Sequence, residues 1–142
     1  MPQPKRVLFV CIGNTCRSQM AEALARHSAS DVIEAASAGL SPFGKIVEPT
    51  RQTLLERGVR VDGQFSKGLR EVEPDSFHLI VNMTGMPGRA LFPGANVVDW
   101  DIADPYGEDM LLYRQICDEI EEHLNVLVAE LRSGGRRSGG SP

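Results

Sequence analysis

Apolar and polar positions divide this chain into short segments. Residues 7–10 are four consecutive apolar side chains after a polar start, and they read as a buried strand followed by a glycine-containing turn. Good helix formers, MAEALA among them, then predict a helix over about 18–27. Residues 32–36 predict a second strand, closed by the turn-like SAGLSPFG. Pro49 suits the first turn of a helix that Gly58 ends. Residues 78–83 and 96–100 read as a third and a fourth strand. The last helix has the clearest period, because Tyr113, Ile116, Cys117, Ile120, Leu124, Leu127, Val128 and Leu131 recur at helical spacing. The closing SGGRRSGGSP has no apolar residue to bury, which predicts a disordered tail over 133–142 behind a single domain over 1–132.

Strands alternating with helices argue for an α/β fold with a parallel sheet covered on both faces. In such sheets ligands sit beyond the carboxyl ends of the strands, near the point where strand order reverses. The end of the first strand is therefore the first place to look for chemistry.

Composition narrows the options. With 142 residues, 42% hydrophobic and 24% charged, the chain is an ordinary globular mixture, long enough for a real core. A net charge of -4 gives no reason to expect a nucleic-acid partner. The apolar run at 7–10 is too short for a signal-peptide core or a membrane span, so a cytoplasmic protein with no membrane partner is expected. Cys11, Cys16 and Cys117 are too few and too scattered for a disulfide framework and are read as reduced thiols. No CxxC pair is present, and His27, His78 and His123 share no ligand-like spacing with the cysteines, so no metal site is expected.

Residues 11–18 read Cys-Ile-Gly-Asn-Thr-Cys-Arg-Ser, between the first strand and the first helix. A loop of this length can aim successive backbone N–H groups at one point above the Cys11 sulfur, and a nest joined to a helix N-terminus is an anion site. Ile12, Gly13, Asn14, Thr15, Cys16, Arg17 and Ser18 are accordingly the expected phosphate-binding residues. Gly13 and Asn14 are types that tolerate positive φ. The same field favours thiolate over thiol at Cys11. Arg17 offers a planar fork for two phosphoryl oxygens. The Ser18 hydroxyl can donate to the sulfur, and Asn14 is read as bracing the loop. Cys, five residues, Arg, then Ser or Thr follows a given cysteine by chance roughly 1% of the time. The bland alternative, a buried strand-end thiol beside a surface arginine, is much the weaker reading.

CIGNTCRS followed by MAEA resembles the phosphate loop of the low-molecular-weight protein tyrosine phosphatase family, which includes bacterial tyrosine and arginine phosphatases. Thioredoxin-coupled arsenate reductases share its fold. The resemblance extends through SAGLSP, the third strand and DPYG before the last helix. It implies a three-layer, four-stranded parallel sheet with helices on both faces, and no metal or organic cofactor. It also implies hydrolysis of phosphotyrosine in proteins, with phosphoarginine as the second substrate class, through a phosphocysteine intermediate, with phosphorylated proteins and inorganic phosphate or other oxyanions as partners.

Cleaving a phosphate ester requires a proton for the departing atom, and a Cys11 thiolate has none to give. Asp104, in the Asp-Pro-Tyr-Gly turn, matches the family's acid, and Pro105 restricts its backbone. Taken alone, Asp-Pro is equally a turn initiator. With Asp104 as acid, Cys11 as nucleophile and Arg17 as phosphoryl anchor, a pH optimum on the acid side of neutrality is expected. Tyr106 is a candidate pocket wall, with Ile12 and Phe43 opposite. Cys16 has two readings, loop packing or redox protection of Cys11 through a disulfide. Cys117 is read as core.

Two positions bear on substrate. Thr15 stands where tyrosine-preferring members often carry a bulky aliphatic residue and arginine phosphatases carry threonine. Gln19 stands where phosphatases usually have proline, whereas arsenate reductases commonly read Ser-Gln-Met-Ala-Glu, as here. The thioredoxin-coupled reduction needs further cysteines near the stretch after the third strand, and NMTGMPGRALFPG has none. The alternatives to a phosphatase are therefore an arsenate reductase using an external thiol, or a non-catalytic phosphate-binding module.

Overall fold

The structure, a computed structural model, describes residues 3–133. Four strands, β1 (Lys5–Cys11), β2 (Ile33–Gly39), β3 (Leu79–Asn82) and β4 (Val97–Asp99), form one sheet in the order β2-β1-β3-β4, every pair parallel. The helices are α1 (Arg17–Ser28), α2 (Glu48–Leu55), the single-turn α3 (Gly88–Leu91) and α4 (Met110–Arg132), with 3-10 turns at Leu69–Glu71 and Pro74–Ser76. The tail expected over 133–142 lies, from residue 134 on, outside the described residues.

The apolar run at 7–10 is central because both faces of β1 are covered, which is why it shows no polar alternation. Val7, Phe9 and Cys11 face the main core, shared with Met20, Ala21 and Leu24 of α1, Leu54 of α2 and the apolar stripe of α4. Leu8 and Val10 face a smaller cluster with Ala38, Ile80 and Phe92. One face of the sheet thus carries the long helices, and the other is closed by short elements: Leu69 and Val72 around one 3-10 turn and Leu91 of α3 pack there. The stripe of α4 is buried at Tyr113, Ile116, Cys117, Ile120, Leu124 and Val128, so Cys117 lies in the core.

The strands and helices fall close to where the hydrophobic pattern puts them, with one informative departure. β2 runs on through Ser37, Ala38 and Gly39, the first part of the segment that reads as a turn. Gly39 pairs with Cys11 and bridges to Gly68, so sheet partners override the local turn signal. Strand order reverses between β1 and β3, and Cys11 ends β1 at that switch point.

Candidate active site

The 12–16 loop is shaped by what its carbonyls bind. The Cys11, Ile12 and Gly13 carbonyls accept from the backbone N–H groups of Leu40 (3.1 Å), Ser41 (2.8 Å) and Phe43 (2.8 Å). The Asn14 carbonyl accepts from Gln19 Nε2 at 3.2 Å and the Thr15 carbonyl from Thr50 Oγ1 at 2.9 Å. Across a trans peptide the carbonyl of one residue and the N–H of the next point in opposite directions. Five consecutive carbonyls turned outward therefore turn the N–H groups of Ile12, Gly13, Asn14, Thr15 and Cys16 inward. That arrangement is an anion nest, continued by the first turn of α1.

Asn14 supplies the loop's one left-handed residue, with φ 51°. Gly13 does not use its freedom: its φ is not positive, and a Cβ there would meet only Phe43 Cβ and Thr15 Cγ2, both at 3.6 Å. The glycine the loop requires lies outside it. A Cβ on Gly39 would stand 2.7 Å from the Ile12 carbonyl oxygen and 2.8 Å from the Asn14 nitrogen. Only a residue without a side chain lets β2 run this close beneath the loop.

Cys11 Sγ lies 2.9 Å from Ser18 Oγ. Arg17, almost wholly buried, spends Nη1 on the carbonyls of Met83 (2.5 Å) and Ile102 (2.9 Å), which lie after β3 and β4. Its Nη2 stands 3.7 Å from Asp104 Oδ2. Nε is the buried side-chain nitrogen or oxygen without a hydrogen-bond partner among the described residues. The Nε–Nη2 edge is thus the side of the guanidinium available to a bidentate oxyanion. The Asp104 carboxylate is half exposed, its Oδ1 accepting from the Tyr106 N–H at 3.1 Å.

These groups line one pocket of about 170 Å³, formed by Cys11, Ile12, Gly13, Thr15, Cys16, Arg17, Ser41, Phe43, Asp104 and Tyr106. The three side chains read as pocket walls are exposed around it, but Phe43 does not stand opposite Tyr106: the two rings meet edge to face with centroids 5.1 Å apart and form one wall together. The Thr15 hydroxyl donates to the Lys45 carbonyl, leaving its lone pairs as acceptors. Cys16 packs inward, with its sulfur 3.6 Å from the Tyr113 hydroxyl, and burial raises its thiol above the ordinary value. Among the described residues no cluster of His, Cys, Asp or Glu is arranged to hold a metal ion, and no helix is long and apolar enough to cross a membrane.

Sequence reasoning did not find Ser41, Gly39 or the polar groups behind the loop. Ser37 and Glu22 are fully buried there, with Ser37 Oγ donating to Glu22 Oε1 at 2.5 Å. Polar residues at 19 and 22, set among the apolar positions of α1, were the available signal.

The fold and the loop define a class: an α/β protein carrying a cysteine-to-arginine anion loop at the switch point of its parallel sheet. Within that class the chain belongs to the low-molecular-weight phosphotyrosine protein phosphatase family, whose model matches residues 6–137. It is similar to a glutaredoxin arsenate reductase of Synechocystis, at 30% identity covering 89% of this chain and 98% of the relative. It is also similar to a protein-arginine-phosphatase of Bacillus subtilis, at 32% identity covering 92% and 99%. A solved arsenate reductase in its phosphate-binding state superposes with a TM-score of 0.81 at 26% identity, covering 89% of this chain and 98% of that one. The family thus includes phosphatases and arsenate reductases.

Proposed function

We propose that this chain is a protein phosphatase that hydrolyses phosphotyrosine or phosphoarginine through a phosphocysteine at Cys11. The observation that carries the reading is the convergence of Cys11, the Arg17 Nε–Nη2 edge and the Asp104 carboxylate on one pocket. A binding module needs neither a nucleophile nor an acid beside its anion site. In the first step the Cys11 thiolate attacks phosphorus in line, the bond to the leaving atom breaks, and Asp104 delivers a proton to that atom. In the second, Asp104 as carboxylate takes a proton from water, whose oxygen displaces the sulfur and releases phosphate. The inward N–H groups and Arg17 hold the equatorial oxygens through both steps. Ser18 donates to the sulfur as it becomes a leaving group.

Between the two substrates, the Thr15 hydroxyl supports phosphoarginine. Its proton is committed to Lys45, so it meets the substrate as an acceptor, which suits a guanidinium N–H. The phosphotyrosine reading rests on the aromatic walls Phe43 and Tyr106. Arsenate reduction with an external thiol is the second reading, supported by Gln19 and by the similarity to a glutaredoxin arsenate reductase.

The test is release of nitrophenolate from p-nitrophenyl phosphate near pH 6 by the protein and its Cys11→Ser and Asp104→Asn variants. Loss of turnover in the first and a sharp fall in the second are expected. Phosphoarginine and phosphotyrosine peptides then compare Thr15→Val with the unchanged chain. An intact, reduced protein without turnover refutes the phosphatase and turns attention to arsenate with glutathione.

A further inference from the structure

Gln19 is fully buried on α1, one residue past Ser18, and its side chain touches neither the pocket nor the sulfur. The two hydrogens of its Nε2 are shared among Asn14 Oδ1 (2.9 Å), the Asn14 carbonyl (3.2 Å) and the Phe65 carbonyl (3.0 Å). Its Oε1 accepts from Gln64 Nε2 at 2.7 Å, and the same Nε2 donates to the Gln19 carbonyl at 3.3 Å. Main-chain carbonyls, which only accept, therefore fix the orientation of both amides. Asn14 is fixed in the same way, because its Oδ1 also accepts from the Lys67 N–H at 2.8 Å and a backbone N–H can only donate.

With Oδ1 saturated, Asn14 must present Nδ2 to the two hydroxyls it contacts, Ser18 Oγ at 2.8 Å and Ser37 Oγ at 2.9 Å. Ser37 in turn donates its hydroxyl hydrogen bond to Glu22. Ser18 accepts from Asn14, so its one proton is left for Cys11 Sγ at 2.9 Å. A chain of one-way donors thus runs from Gln64 through Gln19, Asn14 and Ser18 to the sulfur.

We propose that Gln19, braced by Gln64, is a positioning residue for the nucleophile: together with the Lys67 N–H it holds the Asn14 amide so that the Ser18 hydroxyl donates to Cys11. The proposal rests on Cys11 being the nucleophile, but not on which substrate it attacks. Without the Gln19 donor, Asn14 Oδ1 is held by the Lys67 N–H alone, the amide is less firmly placed against Ser18, and the hydrogen bond from Ser18 to the sulfur weakens.

The experiment measures the rate at which iodoacetamide alkylates Cys11 at pH 6.5, read by peptide mass. That readout needs no phosphatase turnover, so it stands apart from the p-nitrophenyl phosphate test of function. Cys117 falls on its own tryptic peptide, and Cys16, which shares residues 7–17 with Cys11, is told apart by fragment ions; burial raises both of these thiols, Cys117 to about 11, which slows them. Gln19→Met keeps the volume and removes the amide, and Gln64→Met, on a half-buried loop position, removes only the donor that braces it. The expected slowing is about tenfold for the first and about threefold for the second, the scale of one weakened charge-assisted hydrogen bond. In a Ser18→Ala background neither substitution slows alkylation further, because the effect passes through that hydroxyl. Unchanged rates in the folded variants overturn the proposal, and so does equal slowing with and without Ser18. Should Gln19→Met fail to fold, the Gln64→Met pair decides alone.

Discussion

Replacing Gly39 by alanine tests whether the backbone beneath the loop, rather than the glycine within it, sets the geometry of the anion site. The added methyl would lie 2.7 Å from the Ile12 oxygen, 2.8 Å from the Asn14 nitrogen and 3.0 Å from the Gly13 carbonyl carbon, where ordinary contact begins at 3.4 Å. All three are main-chain atoms, so no side chain can swing aside, and the loop must lift by about 0.7 Å. Overpacking of this kind costs about 1–3 kcal/mol, which for a chain of this length lowers the melting temperature by roughly 3–10 °C. A misplacement near 1 Å at a reacting centre costs about 100-fold in rate, so kcat/KM on p-nitrophenyl phosphate should fall by one to two orders of magnitude. Gly13→Ala is the internal control. It places a methyl inside the loop, but with ordinary 3.6 Å contacts and no positive φ, and it should keep activity within a few-fold. Gly39→Ala with unchanged melting and unchanged turnover, or Gly13→Ala as damaging as Gly39→Ala, would refute the reasoning.

Three further outcomes are expected. Arg17→Lys should lower turnover by more than 100-fold and also lower stability. Lysine can neither reach both the Met83 and Ile102 carbonyls nor offer a two-pronged edge, and thermal melts with steady-state rates check both effects. Phe43→Ala should raise KM for aryl phosphates by roughly 2–10-fold with kcat nearly unchanged, since it removes one edge-to-face wall and no reacting group. Burial pushes the Cys117 thiol up to about 11 from the ordinary 9.0, so the folded state holds that proton more tightly. Its stabilisation is complete below pH 9 and is lost as pH rises through 11, by at most about 2–3 kcal/mol. Urea unfolding across that range should show Cys117→Val losing less than the unchanged chain.

The parts legible in the sequence share a physical character. The strands and the last helix were readable because burial imposes period on consecutive residues, and the Cys11 to Ser18 segment because its chemistry lies in adjacent positions. Gly39 was hidden because its requirement comes from a loop 25 or more residues earlier in the chain, while SAGLSP by itself looks like a turn. The Gln19–Gln64 contact spans 45 residues and follows no local rule. Gly13 and Asn14 both read as residues that tolerate positive φ, but only Asn14 takes that conformation, supported by bonds to Ser18, Ser37 and Lys67 that no local pattern reveals. The four-residue α3 is too short to leave a period at all.

The outward-turned carbonyls of the loop also bear on how such a site diverges. Because neighbouring segments hold them, the shape of the cradle does not depend on a ligand, and under the proposed function it would read only a tetrahedral oxyanion of the right size. It cannot tell substrate from released product, nor phosphorus from arsenic. Every distinction of substrate or reaction must then be made elsewhere: at the Thr15 hydroxyl, at the aromatic rim, or by whatever thiol reaches the sulfur next. Within one family, chemistry can change hands while the loop stays as it is.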